Sequence, residues 1–429
     1  MKIRVDDPQQ FKQKALQWAS SFDVFCCLDS NDFIDKYSKF DFLLAVGVKT
    51  ELAVQSSDAF DQLERFRVEN PGWITGFLTY DLKNEVEKLQ SCNPDHLSSP
   101  ELYFFSPEHL IVIKDNEVEI ISDMVNQVGE TISSQESPGN NLQSSIGLKS
   151  RFSREEYIGA VDQIRQHIVR GDIYVTNFCQ EFYAENAKIN PLATFLELNR
   201  ISPNPFSAFF RLKDKYILCA SPERFLGKRG NKLISQPIKG TAKRYADPVQ
   251  DELSKQQLHQ HTKELQENVM IVDLVRNDLT KSARQSTVQT EELFGLFSFS
   301  QVHQMISTIV CEKSDDVNDV QAIRNTFPMG SMTGAPKISA MRLMDEYERT
   351  KRGVYSGAIG YFSPDGDFDF NVVIRTLLYN ETEKYLSFQV GGAITFHADP
   401  EKEYEECLLK AQAILEALGQ PGSFQNLSL

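Results

Sequence analysis

"VYSGAIGYFSPDGDFDFNVVIRTLLYNETEKYLSFQVGGAI", residues 354–394, is the stretch on which the fold turns. Short runs of β-branched and aromatic residues alternate in it with turn-formers, Pro364-Asp365-Gly366 and Asn380-Glu381, and this predicts an antiparallel meander. Upstream, "YILCASPERFLGKRGNKLISQPI" (216–238) reads as short strands around Arg229-Gly230-Asn231. Between the two lie helical stretches from about Asp251 to Asp278 and from about Pro336 to Glu348. A last helix starts at Asp399-Pro400 and stops near Gly419. Antiparallel runs with interspersed helices predict an α+β fold and exclude a doubly wound βαβ sheet.

Working outward, "HLIVIKDNEVEIIS" (109–122) predicts a hairpin turning at Asp115-Asn116, and "SREEYIGAVDQIRQHIVRGD" (153–172) a helix ending at Gly171. Residues 129–150 are rich in Ser, Gln, Asn and Gly and read as a linker or surface loop between an N-terminal region, 1–128, and a second region, 151–418.

The chain has 429 residues, more than one ordinary core serves, with 41% hydrophobic and 24% charged residues and a net charge of −15. That charge argues against nucleic acid or an anionic membrane as a partner. An anionic substrate would need local cations. No signal peptide or bilayer-spanning run is read, and the seven cysteines show no C-x-x-C spacing, so a cytoplasmic protein with reduced thiols is expected.

Glu264 and Glu267 share one helical face, and Glu403 and Glu406 repeat the device in the last helix beside an apolar stripe of Tyr404, Cys407, Leu408, Ala411, Leu415 and Leu418. Facing each other, the two pairs would form a hard-oxygen site suited to Mg²⁺. By spacing alone they are ordinary solvated helix faces. The loop Gly330, Ser331, Thr333, Gly334 runs into a helix with Pro336 at its first turn; it offers an anion site or simply a tight turn. Gly391-Gly392 is a second place for close backbone approach. Arg375, in the apolar run "NVVIRTLLY", needs a carboxylate partner from protein or ligand. His303 in "SQVHQMISTIV" reads by itself as a core histidine.

The order of "SPERF" (221–225), "PIKGT" (237–241), "ENVMIVDLVRND" (267–278), "GSMTGAPK" (330–337), "YSGAIGY" (355–361), "IRT" (374–376) and "EYEECLLKA" (403–411) resembles the chorismate-utilising enzymes. These include anthranilate synthase component I, aminodeoxychorismate synthase component I, and isochorismate and salicylate synthases. The resemblance is strong over about 150–418 and looser in "CCLDSND" (26–32) and "GWITGFLTYDLKNEVE" (72–87). It implies a layered α/β/β/α fold with two large antiparallel sheets that the N-terminal region completes.

The resemblance also implies residue roles. Glu267 and Glu406 match the family's Mg²⁺ ligands, with Glu264 and Glu403 as supports. Gly240 and Thr241 match the backbone that meets the ring carboxylate. Arg375, Tyr355 and the Gly391-Gly392 turn match the holders of the pyruvyl carboxylate. Glu223 matches a general acid, which requires a raised pKa. His303 matches a histidine near the reacting ring, and Thr333 a ring-contacting threonine.

Lys239 stands where anthranilate synthases typically have alanine and the amine-adding members have a nucleophilic lysine, which must lose its proton to act. Val175 follows "GDIY", where the water-adding members carry a lysine base. The resemblance thus implies aminodeoxychorismate synthase component I of p-aminobenzoate and folate biosynthesis. Its ammonia would come from a separate glutamine amidotransferase subunit, because no glutaminase region is read. No pyruvate-eliminating lyase is read after residue 418, so the reaction is expected to stop at aminodeoxychorismate. Tryptophan binding at Leu28-Asp29-Ser30 is implied as a further site. Anthranilate synthase component I and a non-catalytic chorismate- or tryptophan-binding subunit remain the alternatives.

Overall fold

The computed structural model describes residues 2–55, 57–139, 146–299 and 302–420. In chain order it runs β1 (Lys2–Arg4), α1 (Pro8–Ala19), β2 (Val24–Asp29), β3 (Phe42–Val54), α2 (Ala59–Glu69), β4 (Ile74–Leu78), α3 (Lys83–Glu87), β5 (Leu102–Lys114), β6 (Glu117–Ile121), α4 (Val125–Ser134) and β7 (Lys149–Ser150). There follow α5 (Arg154–Arg170), β8 (Val175–Ala184), α6 (Pro191–Ile201), β9 (Phe206–Leu212), β10 (Lys215–Ser221), β11 (Arg224–Arg229), β12 (Lys232–Gln236), β13 (Ile238–Lys243), α7 (Pro248–Gln260) and α8 (Thr262–Thr280). The last part is β14 (Gln289–Ser298), β15 (Val302–Glu312), α9 (Asp319–Thr326), β16 (Gly334–Ala335), α10 (Lys337–Tyr347), β17 (Ala358–Phe362), β18 (Phe368–Asn371), β19 (Thr376–Asn380), β20 (Tyr385–Ile394) and α11 (Pro400–Ala417).

The strands pair antiparallel throughout and divide into two arms. One runs β6, β5, β3, β2, β9, β10, β19, β20, β8. The other runs β5, β4, β17, β18, β11, β12, β15, with β13 and β14 also on β15. The 13-residue strands β3 and β5 belong to both arms, with a register shift between Val48 and Thr50 where the shared ribbon bends.

A core that includes Phe77, Tyr103, Phe105, Phe210, Ile217 and Leu378 fills the space between the arms. Each such side chain contributes roughly 1.5–3 kcal/mol of transfer free energy, enough to lock the two sheets face to face. Helices α1, α5, α6 and α11 cover the outer face of the first arm, and α2, α8 and α9 that of the second. The layered α+β architecture expected from the family resemblance is the one observed.

Several local expectations change. The stretch 354–394 is not one meander but two hairpins, β17–β18 and β19–β20, in different arms. The chain crosses from arm to arm at 372–375, and β10–β11 crosses beside it at Pro222-Glu223. The crossings are stitched by Val372 N–H to Glu223 O (3.0 Å) and Ala220 N–H to Arg375 O (3.1 Å). Arg375 therefore does not lie within a strand; it sits at the corner with a left-handed φ of 54°.

The long helix expected over 251–278 breaks into α7 and α8 at His261, whose extended backbone and ring nitrogen cap α8 at Glu264 N–H. Residues 125–134, partly inside the stretch read as a linker, form α4, because Val128 and Ile132 at i,i+4 suffice to dock it beside α1. The rest of that stretch includes 140–145, which lie outside the described residues. The 109–122 hairpin, the 154–170 helix and the Asp399-capped last helix stand as read. Among the described residues no helix is long and apolar enough to cross a membrane.

Candidate functional site

The site is built at the corner where the chain passes from one arm to the other. Glu223, between β10 and β11, is 5% exposed. Burial pushes its carboxyl up to about 7, and the Ser331 hydroxyl, the Ile238 N–H and the Lys239 ammonium keep it from going higher. The acid is therefore half-protonated near neutral pH, the state in which it can give a proton to a departing hydroxyl.

Arg375 stands beside it with no protein counterion: among the described residues its guanidinium makes neither an ion pair nor a side-chain hydrogen bond. Burial lowers its pKa, opposed by Tyr355 and Glu406. The partner that the sequence demanded is thus not a protein acid. An unpaired, half-buried guanidinium beside a buried phenol, Tyr355 (4% exposed), has the chemistry to receive an anion.

Lys239 reaches from β13 to Glu267 Oε2 at 3.1 Å. Burial alone would lower its pKa, but Glu267, Glu406 and Glu264 together raise it. This is opposite to the deprotonated amine expected of a nucleophile, and the reason is the carboxylates, not any lack of burial. Gly240 follows with φ 101°, and a Cβ there would press on Leu258, Glu264 Oε2 and Met305 at 3.3–3.4 Å. Thr241 is exposed and pairs with Gln304.

The two glutamate pairs do face each other across α8 and α11. Lys263 Nζ lies 3.8 Å from Glu267 Oε1 and 3.9 Å from Glu403 Oε1, bridging the helices. Lys410 binds Glu406 (2.8 Å) and the Gly391 carbonyl (2.8 Å). Burial and then Glu406 raise Glu403 to about 7, whereas Lys410 holds Glu406 below the ordinary carboxylate value. Burial also raises Glu264.

Among the described residues no three ligating side chains are drawn together as a ready metal cluster, since ammonium groups lie between the carboxylates. The donor set nonetheless fits a hard divalent cation. Glu267 and Glu403 lie on either side of the Lys263 ammonium, Glu264 and Glu406 stand on the same two helices, and Glu267 Oε1 is buried without a hydrogen-bond partner.

Gly391 admits no side chain, because a Cβ would lie 2.4 Å from the Phe178 carbonyl oxygen. At Gly392 a Cβ would come to 3.0 Å from Glu403 Oε2. Behind them Glu348 and Arg352 form a buried pair (2.7 Å) that holds Cys179 N–H and the Met332 and Asn177 carbonyls.

Two candidates are placed differently from expectation. The Thr333 hydroxyl donates into its own turn, to Met329 O (3.2 Å) with Gly330 O at 3.3 Å. The buried hydroxyl that faces the acid there is Ser331, which lines the same small cavity as Glu223 and holds its carboxyl down. The turn is also tied to β8 through Asn177 N–H to Thr333 O and Tyr174 N–H to Ala335 O. His303 is buried on β15 with both ring nitrogens engaged, by Ser298 (2.8 Å) and Asp251 (3.0 Å).

An open chamber of about 680 Å³ borders Glu267, with Lys263, Met270, Tyr174, Phe396 and His397 also on its walls. Leu28, Asp29 and Ser30 line a separate small cavity with Phe206 and Tyr361, where Asp29 pairs with Lys12 at 3.0 Å. Lys263 and Lys410 are the side chains among the glutamates that the sequence did not single out. The Glu406–Lys410 i,i+4 spacing was the available signal.

Residues 18–416 match the chorismate binding enzyme family. The chain is 35% identical to the chloroplastic aminodeoxychorismate synthase of Arabidopsis thaliana over 398 residues, covering 86% of this chain but 43% of that protein. It is 31% identical to anthranilate synthase component 1 of Cereibacter sphaeroides, covering 82% of this chain and 74% of that one. Among solved structures, anthranilate synthase component I of Streptococcus pneumoniae superposes with a TM-score of 0.77 at 26% identity, over 89% of this chain and 93% of the other. With the family match spanning nearly the whole chain and the corner site inside it, the chain belongs to the chorismate binding enzymes.

Proposed function

We propose that this chain is the chorismate-converting component of an aminodeoxychorismate synthase, forming 4-amino-4-deoxychorismate from chorismate and ammonia. Lys239 carries the reading: a primary amine at the centre of the site, 3.1 Å from Glu267 and beside the half-protonated Glu223. Arg375, Tyr355 and the Gly391 turn orient the pyruvyl carboxylate, and Gly240 the ring carboxylate. Glu267 and Glu406, supported by Glu264 and Glu403, would hold one Mg²⁺, which when bound neutralises the ring carboxylate.

Lys239 Nζ, once neutral, bonds to ring C2 as the C4–O bond breaks, and Glu223 gives its proton to the hydroxyl, which leaves as water. Ammonia then bonds to C4 with its lone pair, the ring π bonds shift back, the C2–N bond breaks with its electron pair leaving on Lys239 Nζ, and the proton shed by the new ammonium goes back to Glu223. Ammonia is supplied by a glutamine amidotransferase partner, and the product serves p-aminobenzoate and folate synthesis.

Incubation of the chain with chorismate, Mg²⁺ and ammonium tests this. Aminodeoxychorismate, with a Lys239 adduct detected by mass spectrometry, is expected. Fluorescent anthranilate without a second enzyme would establish instead the second reading, anthranilate synthase, which relatives of that name favour.

A further inference from the structure

Three ammonium groups face the four carboxylates, and one of them is held unlike the others. Lys239 sits 3.1 Å from Glu267 Oε2. Lys410 is anchored twice, on Glu406 and on the Gly391 carbonyl, both at 2.8 Å. Lys263 lies 3.8 Å from Glu267 Oε1 and 3.9 Å from Glu403 Oε1, beyond hydrogen-bond reach of either. Its side chain is 41% exposed on the wall of the open chamber, between solvent and the buried Glu267 oxygen that has no hydrogen-bond partner. A loosely held cation thus stands between Glu267 of one helix and Glu403 of the other.

We propose that Lys263 is a built-in competitor for the divalent cation. In the metal-free protein it offsets the charge of Glu267 and Glu403, and it must swing toward the chamber mouth before a metal ion can join them, so this lysine sets the metal affinity of the site. The inference rests on the reading of the glutamates as a metal site. A lysine suits the task because its charge sits on a flexible four-carbon stem and is easily rehydrated. At the second position of α8, with its head at the chamber, Lys263 needs no backbone movement to leave.

Direct binding of Mn²⁺ by electron paramagnetic resonance and of Mg²⁺ by calorimetry, on the full chain without chorismate, tests the idea. Lys263→Met and Lys263→Gln are expected to bind roughly tenfold more tightly than wild type, since a like charge is removed at contact range. Lys263→Arg, which keeps the charge, is expected to stay near wild type. Equal or weaker binding by both neutral variants overturns the role of Lys263 while leaving the metal site standing. No saturable binding by wild type or by either neutral variant overturns the metal site itself.

Discussion

Lys239 Nζ and Glu267 Oε2 face each other at 3.1 Å, and this pair, with Glu406 and Glu264 behind it, keeps the amine in its charged form. The carboxylates proposed to hold a divalent cation are thus the same groups that hold the Lys239 proton. Glu267→Gln removes the nearest of them. Loss of one opposite charge at this range shifts a pKa by about 1–3 units, so Lys239 is expected to be modified by an amine reagent at least about tenfold faster at a fixed mildly alkaline pH. Peptide mass spectrometry, with Lys239→Ala as the blank, reads this. An unchanged rate would mean that Glu267 does not hold the proton.

Glu223 has its carboxyl pushed to about 7 by burial, against an ordinary value of about 4.3. A raised carboxyl stabilises the fold below the unfolded-state value, and that contribution is lost as pH rises toward the folded-state one. Glu223→Gln cannot ionise. It is expected to match wild type in thermal unfolding near pH 4 and to exceed it by roughly 1–3 kcal/mol near pH 8, while losing turnover. In wild type, kcat should fall as pH passes about 7.

Arg375 separates stability from binding. Among the described residues its guanidinium has no ion-paired acid to strand, so Arg375→Met is expected to leave stability unchanged or raise it by about 1 kcal/mol. The same variant should lose measurable chorismate binding by calorimetry. A large destabilisation would point to a structural role for the side chain.

Gly391→Ala places a methyl 2.4 Å from the Phe178 carbonyl, backbone that cannot rotate away. The expected cost is about 1–3 kcal/mol in thermal or denaturant unfolding, with a raised KM because the β20–β8 pairing beside the site must open.

The motifs were legible because they carry chemistry on local spacing. Glu264, Glu267, Glu403 and Glu406 read as helical pairs, and Asp399-Pro400 as a helix start. What misled was where two solutions share one local pattern. The 354–394 stretch has the alternation of a meander, and nothing within it reveals that β18 finds β11 while β19 finds β10. Val128 and Ile132 are too few to register as a periodic stripe, yet they dock α4. Thr333 and Ser331 are both hydroxyls in one loop, and only the turn geometry shows which bonds within the turn and which faces Glu223.

By itself the sequence determined the α+β class, the family, and the chemical identity of the acid, the amine and the carboxylates, because those depend on residue type and short-range order. Only the tertiary structure decided their charge states and their company. Long-range pairing through the shared β3–β5 ribbon brings two crossings together, burying Glu223 so that its carboxyl is raised to about 7 and leaving Arg375 without an ion-pair partner among the described residues. It also brings side chains of α8 and α11 near enough for the Lys263 ammonium to lie between Glu267 and Glu403, which are far apart in the chain. Electrostatic energy depends on distances and burial in space, and no local reading supplies those.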